Sequence, residues 1–138
     1  MKGTYYIDSN VFLYPVLYND LKESETAREI LSQIEGKNIL AYTSTLTWDE
    51  VSYVVERTLG KTDAIEVGRK FLNFPFLRFI PVDDEIIRRS QVIREKYNLK
   101  PRDSIHLSCA IERNISEIIT DDVDFDGIEE IKRIPVKQ

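Results

Sequence analysis

Thr4-Tyr5-Tyr6-Ile7-Asp8-Ser9-Asn10-Val11-Phe12-Leu13-Tyr14 switches from one backbone period to another within a few residues. The first four are β-branched or aromatic and read as a short strand, which stops at Asp8-Ser9-Asn10, a cluster of turn- and cap-forming side chains. An apolar helix over residues 11–18 follows, limited in length by Pro15. Strand, acid-bearing turn and helix thus come in immediate succession, and the same alternation continues along the chain.

Ser24 is placed to cap a helix whose apolar positions Ala27, Ile30, Leu31 and Ile34 fall on one face and which Gly36 ends. A second strand covers 38–43. A helix over 44–59 carries Trp48, Val51, Val54, Val55 and Leu59 on its buried side, with Gly60 as stop, and another helix covers 62–73. A third strand is read at 77–82, a helix capped by Asp83 with Ile86, Ser90, Ile93 and Tyr97 on one face, then a helix from Pro101 to about Arg113. A fourth strand at 117–120, an acidic turn and a short fifth strand at 130–134 complete the chain. Strands alternating with helices imply βαβ units, hence an α/β three-layer α/β/α sandwich around a mostly parallel sheet. No repeat or Pro/Gly/Ser linker divides it, and 138 residues suit a single domain over 1–138.

The composition narrows the class. Hydrophobic residues make up 42% and charged residues 31%, with 5 Gly and 5 Pro, which excludes collagen, linker and mucin-like chains. The lone Cys109 cannot form an internal disulfide, and no apolar leader or membrane-length segment is present, so a cytoplasmic protein without membrane contact is expected. The formal net charge of −5 would argue against a nucleic-acid partner unless cations intervene.

Ligands of open parallel sheets bind beyond the carboxyl ends of the strands, and that rule selects the residues of interest. Asp8 directly follows the first strand; Asp121 and Asp122 follow the fourth. Asp103 lies in the first turn of the helix opened by Pro101, and Glu50 lies early in the helix after the second strand. Acids from four segments can therefore converge on one crevice. Clustered carboxylates repel, so they persist by holding protons or by binding a cation, and an oxygen-only set suits Mg²⁺ or Mn²⁺ rather than zinc.

Each acid also has a plainer reading. Thr47-Trp48-Asp49-Glu50 fits a capping box; Asp103 would be favoured by any helix dipole; Asp8 fits an N-cap; Asp121 and Asp122 fit an ordinary loop. His106, one turn after Asp103, is within reach of the crevice, but amid Ile105, Cys109 and Ala110 the preferred reading is a satisfied core histidine. Asp122-Val123-Asp124-Phe125-Asp126-Gly127 imitates half of an EF-hand loop, but Arg133 stands where the bidentate Glu belongs, and Phe125 reads as core. A phosphotransferring Asp-x-Asp site fails because the second position is Asn10. A receiver-like signalling module, with its doubled acids expected early in the chain, is the non-hydrolytic alternative, alongside a non-catalytic binding module.

Four segments together resemble the ordered motifs of PIN domains: Tyr6 to Tyr14, Trp48-Asp49-Glu50-Val51, Pro101 to Ala110, and Ile118-Ile119-Thr120-Asp121-Asp122-Val123-Asp124-Phe125. The second is the weak one. The resemblance implies a sandwich with a parallel sheet and, for short prokaryotic members resembling VapC toxins, a Mg²⁺- or Mn²⁺-dependent endoribonuclease neutralised by a small antitoxin; a PIN nuclease of RNA processing is the variant reading. It implies Asp8, Glu50, Asp103 and Asp122 as catalytic and metal-holding acids, Asp121 as a possible extra ligand, and Asn10 and Thr120 as supports. Asp8, Asp103 and Asp122 would hold one or two ions, and Glu50 would orient the attacking water or a second ion. Lys100 and Arg102 are the RNA-binding candidates, with Arg57, Lys61, Arg69 and Lys70 as further rim cations. Phe12, Tyr14 and Tyr18 would stack bases or meet a second subunit, against a plainer reading as core. An RNA substrate, an antitoxin and a homodimer partner are the expected partners. On this reading the net charge of −5 is partly the metal site, and two bound ions would bring it to roughly −1.

Overall fold

A computed structural model describes residues 1–137. The elements are β1 (Thr4–Ile7), α1 (Ser9–Leu17), α2 (Lys22–Glu35), β2 (Leu40–Ser44), α3 (Thr45–Leu59), α4 (Lys61–Leu72), β3 (Leu77–Ile80), α5 (Asp84–Lys96), α6 (Pro101–Glu112), β4 (Glu117–Ile119), a 3-10 turn (Val123–Phe125) and β5 (Lys132–Ile134). The five strands form one parallel sheet in the order β3-β2-β1-β4-β5. The sandwich expected from the alternation is the fold observed.

Two apolar cores flank the sheet because successive strand residues point to opposite faces. Tyr5 and Ile7 of β1 join Val11, Phe12, Ala27, Ile34, Val51, Val55 and Phe71, so α1 to α4 cover one face. Tyr6 joins Ile80, Ile86, Ile93, Leu107 and Phe125, so α5 and α6 cover the other. The chain winds outward from β1 through β2 to β3, then returns over the second face to place β4 against the free side of β1. The direction of winding reverses between β1 and β4, and the crevice at their carboxyl ends is the topological switch point.

Local signals explain most boundaries. Asp8 caps α1 by accepting from Ser9 N, Asp83 caps α5 by accepting from Ile86 N, and Pro101 opens α6. Gly60, at φ 96°, ends α3 and starts α4 in one residue, a conformation that side-chain-bearing residues avoid.

Several expectations need correction. Ser24 does not cap α2, which begins at Lys22 after Leu21; its buried hydroxyl donates to the carbonyls of Tyr14 and Tyr18 and ties the end of α1 to α2. Trp48 and Leu59, expected on the buried side of α3, are 44% and 45% exposed. Trp48 lies over α4 at Gly68, where a Cβ would come 3.1 Å from Trp48 Nε1 and the indole would have to shift by a few tenths of an ångström. Of the aromatic residues of the first helix, Phe12 is core, Tyr14 is half-buried and Tyr18 is exposed. No helix among the described residues is long and apolar enough to cross a membrane.

Candidate active site

Thr120 organises the carboxyl ends of β1 and β4. It follows β4 directly, is fully buried, and its hydroxyl donates to Asp8 Oδ2 at 2.6 Å. The same oxygen accepts from Asp122 N at 3.0 Å and from Asn10 Nδ2 at 3.3 Å. One hydroxyl therefore sets the positions of the first acid, the fourth acid and Asn10. Asp8 is 7% exposed, and its Oδ1 accepts from Ser9 N at 2.7 Å, so the capping role and the site role coincide.

The remaining acids form two groups. Asp8, Glu50 and His106 present ligand-type atoms within 4.8 Å of one another, as do Asp103, Asp122 and Asp124. Asp124 was not anticipated. Its place comes from the 3-10 turn, in which Asp122 Oδ1 accepts from Asp124 N at 2.9 Å and Phe125 is fully buried beneath; the Asp122-x-Asp124 spacing was the available signal. A cleft of about 570 Å³ opens over these groups, lined by Glu50, Lys100, Pro101, Arg102, Asp103 and Asp122. Lys100 and Arg102 are exposed at its rim and make no ion pair among the described residues. Arg69 lines a separate groove on α3 and α4, and Lys70 pairs with Glu66 there.

Electrostatics mark Asp103 as the strained member. Burial, then the charges of Asp122 and Asp8, push its carboxyl from 3.8 up to about 7. His106 experiences opposing pulls: burial disfavours its charge, but the hydrogen bond to Glu50 and the charges of Asp8, Glu50 and Asp103 outweigh that and raise its pKa. The reading of His106 as a satisfied core residue is half the result. It is 1% exposed, and its partners are Tyr6 and the site acid Glu50.

Glu50 does not close a capping box. The N-cap of α3 is Ser44, Thr47 shares a hydrogen bond with Thr43, and the Glu50 carboxylate reaches His106 instead. Asp121 faces away from the acid groups: Oδ1 accepts from Val136 N and Lys137 N at 2.7 and 2.8 Å, and Oδ2 accepts from the Tyr14 hydroxyl at 2.7 Å. It anchors the C-terminal segment to α1.

A family model, PIN domain, matches residues 5–131. The chain belongs to the PIN domain family. Several solved structures overlay on nearly its whole length. VapBC2 from Rickettsia felis, bound to a promoter DNA fragment, is 19% identical, covers 96% of this chain and 98% of its own, and has a TM-score of 0.73. VapC20 from Mycobacterium tuberculosis, a sarcin-ricin loop cleaving toxin, is 14% identical over 92% and 98%, with a TM-score of 0.70. FitAcB from Neisseria gonorrhoeae is 16% identical over 96% and 97%, with a TM-score of 0.72. No curated protein sequence matches the chain. At these identities the structural likeness establishes the fold, and the PIN assignment rests on the family model.

The residues of this PIN site suit the divalent ion that the family implies. The donors facing the cleft are carboxylate oxygens, the donor class of Mg²⁺ and Mn²⁺. Asn10 Oδ1 is buried with no hydrogen-bond partner among the described residues, which leaves one further oxygen acceptor beside Asp8 and Thr120.

Proposed function

We propose that this PIN protein is a divalent-metal-dependent endoribonuclease, the toxin of a VapBC-type pair. The observation that carries the reading is the gathering of acids from four chain segments: Glu50, Asp103 and Asp122 line the switch-point cleft, Asp8 groups with Glu50 beside it, and Lys100 and Arg102 stand at its rim. Carboxylates alone would repel RNA; a Mg²⁺ or Mn²⁺ ion held by them would supply the positive charge that a phosphodiester requires. The sarcin-ricin loop cleaving activity named for VapC20 supports RNA as the substrate class. The VapBC assemblies among the structural neighbours support an antitoxin partner.

Asp8, Asp103 and Asp122 would hold the ion or ions, with Glu50 and Asp124 beside them. The bound ion supplies positive charge that stabilises the phosphoryl oxygens and acidifies the attacking water. Thr120 and the α1 amide of Ser9 hold Asp8 in one orientation, so this ligand needs no reorganisation. Glu50 has Oε1 engaged by His106 and no partner for Oε2 among the described residues; Oε2 would orient the water that attacks phosphorus and take up its proton as the P–O bond breaks, the leaving oxygen keeping the electron pair and taking a proton from solvent. Lys100 and Arg102 contact flanking phosphates. The exposed apolar residues Trp48, Ile65 and Leu72, which share a groove between α3 and α4, support a homodimer through that face.

Thermal unfolding with added Mn²⁺ and cleavage of a labelled RNA test the proposal together. The protein should gain stability with Mn²⁺ and cleave RNA, and Asp8→Asn should lose both effects. Full Mn²⁺-dependent cleavage by Asp8→Asn or Asp103→Asn would refute it.

A further inference from the structure

We infer that His106 is a positioning residue: backed by Tyr6, its imidazole fixes the Glu50 carboxylate at the edge of the acid cleft. This role rests on the nuclease reading above. The contact joins all three layers of the sandwich, since Tyr6 lies in β1, His106 in α6 on one face and Glu50 in α3 on the other. Tyr6 is fully buried and His106 is 1% exposed. The Tyr6 hydroxyl lies 2.5 Å from Nδ1, and Nε2 lies 2.6 Å from Glu50 Oε1.

This arrangement determines where the ring proton sits. An ionised carboxylate only accepts, so the nitrogen facing it must carry hydrogen. In the neutral ring the Tyr6 hydroxyl donates to Nδ1 and thereby selects the tautomer protonated at Nε2; in the charged ring both nitrogens carry hydrogen. Nε2–H therefore faces Glu50 in either state. Glu50 and Tyr6 thus favour the same tautomer from opposite sides of the ring, and without the Tyr6 hydroxyl the Nδ1 lone pair would be left buried without its donor. The same geometry divides Glu50. Oε1 is consumed by His106, while Oε2 has no partner among the described residues, and Glu50 lines the cleft with Asp103 and Asp122. Metal-site carboxylates and histidines are commonly oriented by such outer contacts, and their loss lowers activity without removing a ligand. The separation of 3.7 Å from Nε2 to Asp8 Oδ1 is too long for a hydrogen bond, so the positioning acts on Glu50.

Two measurements test this. In metal-free protein labelled with ¹⁵N-histidine, His106 should show a slowly exchanging Nε2–H proton that shifts in Glu50→Gln, and the Nε2–H form should persist in Tyr6→Phe because Glu50 still accepts from it; a neutral ring found at Nδ1–H in the wild type overturns the proposal whether or not RNA is cleaved. In Mn²⁺-dependent cleavage of a labelled single-stranded RNA, His106→Ala should lower kcat by about 10–100-fold with KM unchanged, the scale expected when a catalytic group is displaced by about 1 Å. His106→Gln, whose amide can donate to Glu50 from a similar position, should recover most of that loss, and His106→Ala should cost nothing further in a Glu50→Gln background. Additive losses in the double variant, or no recovery in a folded His106→Gln, would assign His106 to packing alone. A wild type that cleaves no RNA with either ion overturns the nuclease reading and the positioning role with it, an outcome the resonance data separate from a wrong geometry.

Discussion

Replacing Asp103 with asparagine should stabilise the metal-free protein, because this carboxylate is held where its charge is least welcome. Its carboxyl stands at about 7 against an ordinary 3.8, through burial first and then the charges of Asp122 and Asp8. The folded state therefore binds this proton more tightly than the unfolded state, and between these two values folding stability falls as pH rises. The contribution is fully present below 3.8 and is lost as pH passes through about 7. Converted in full at ~1.4 kcal/mol per pH unit, the difference comes to about 4 kcal/mol. Asp103 is only half-buried, and solvent and salt screening reduce the figure to about 1–2 kcal/mol. Asparagine has nearly the shape of the protonated acid and no charge to lose.

Asp103→Asn in EDTA should accordingly exceed the wild type by about 1–2 kcal/mol at pH 8, with the gap closing toward pH 4. Equilibrium urea unfolding followed by circular dichroism at the two pH values measures it. With saturating Mn²⁺ the order should invert. The wild type gains about 2.7 kcal/mol at an ion concentration a hundredfold above Kd, while the variant, short of one ligand, gains little. No advantage at pH 8, or an equal advantage at both pH values, would refute the reasoning; the second result would indicate a packing effect rather than relief of charge.

Mn²⁺ binding should weaken below about pH 7, where Asp103 must first lose its proton, and calorimetry in buffers of different ionisation enthalpy should detect the released proton. Asp121→Ala should cost about 1–3 kcal/mol by leaving Val136 N, Lys137 N and the Tyr14 hydroxyl without their acceptor. That variant should keep its Mn²⁺-induced gain in Tm, whereas Asp122→Asn should lose it. Phe125→Ala, at a fully buried position, should cost about 3–5 kcal/mol in urea unfolding and weaken Mn²⁺ binding as well, because the turn that carries Asp122 and Asp124 loses its floor.

What could be read from the sequence was local or followed from topology. Asp8 and Asp122 were found because a parallel sheet puts the residues after its strands on one edge, and Asp83 and Pro101 because caps act within one turn. The misses arise where a tertiary partner took over a locally plausible role. Ser24 has the chemistry of a cap, yet its hydroxyl serves the carbonyls of α1, and the helix starts earlier. Glu50 has the spacing of a capping box, yet a histidine far along the chain claims its carboxylate. Trp48 fits the apolar stripe of α3, yet it covers the small surface of Gly68 and stays half in solvent. His106 was correctly expected to be buried and satisfied. That Tyr6 and Glu50 satisfy it depends on two layers meeting over the sheet, which no periodicity encodes.

The same placement resolves the apparent conflict between a net charge of −5 and an RNA substrate. The acids are segregated: Asp103 and Asp122 line the cleft with Asp8 beside them, and Lys100 and Arg102 stand at its rim without ion-pair partners among the described residues. Behind the acidic turn, Arg133 donates to Asp126 at 2.8 and 3.1 Å and to the Thr120 carbonyl at 3.4 Å, so its hydrogen bonds go to the turn and not to the cleft acids. Burial, with the charges of Asp122 and Asp8 added to it, raises the Asp103 carboxyl to about 7. A phosphodiester approaching the metal-free cleft meets attraction at the rim and repulsion at the floor, and a divalent ion reverses only the second. On the nuclease reading, then, the cation binds first and RNA second, and the negative balance of the chain becomes a condition of activity rather than an argument against it.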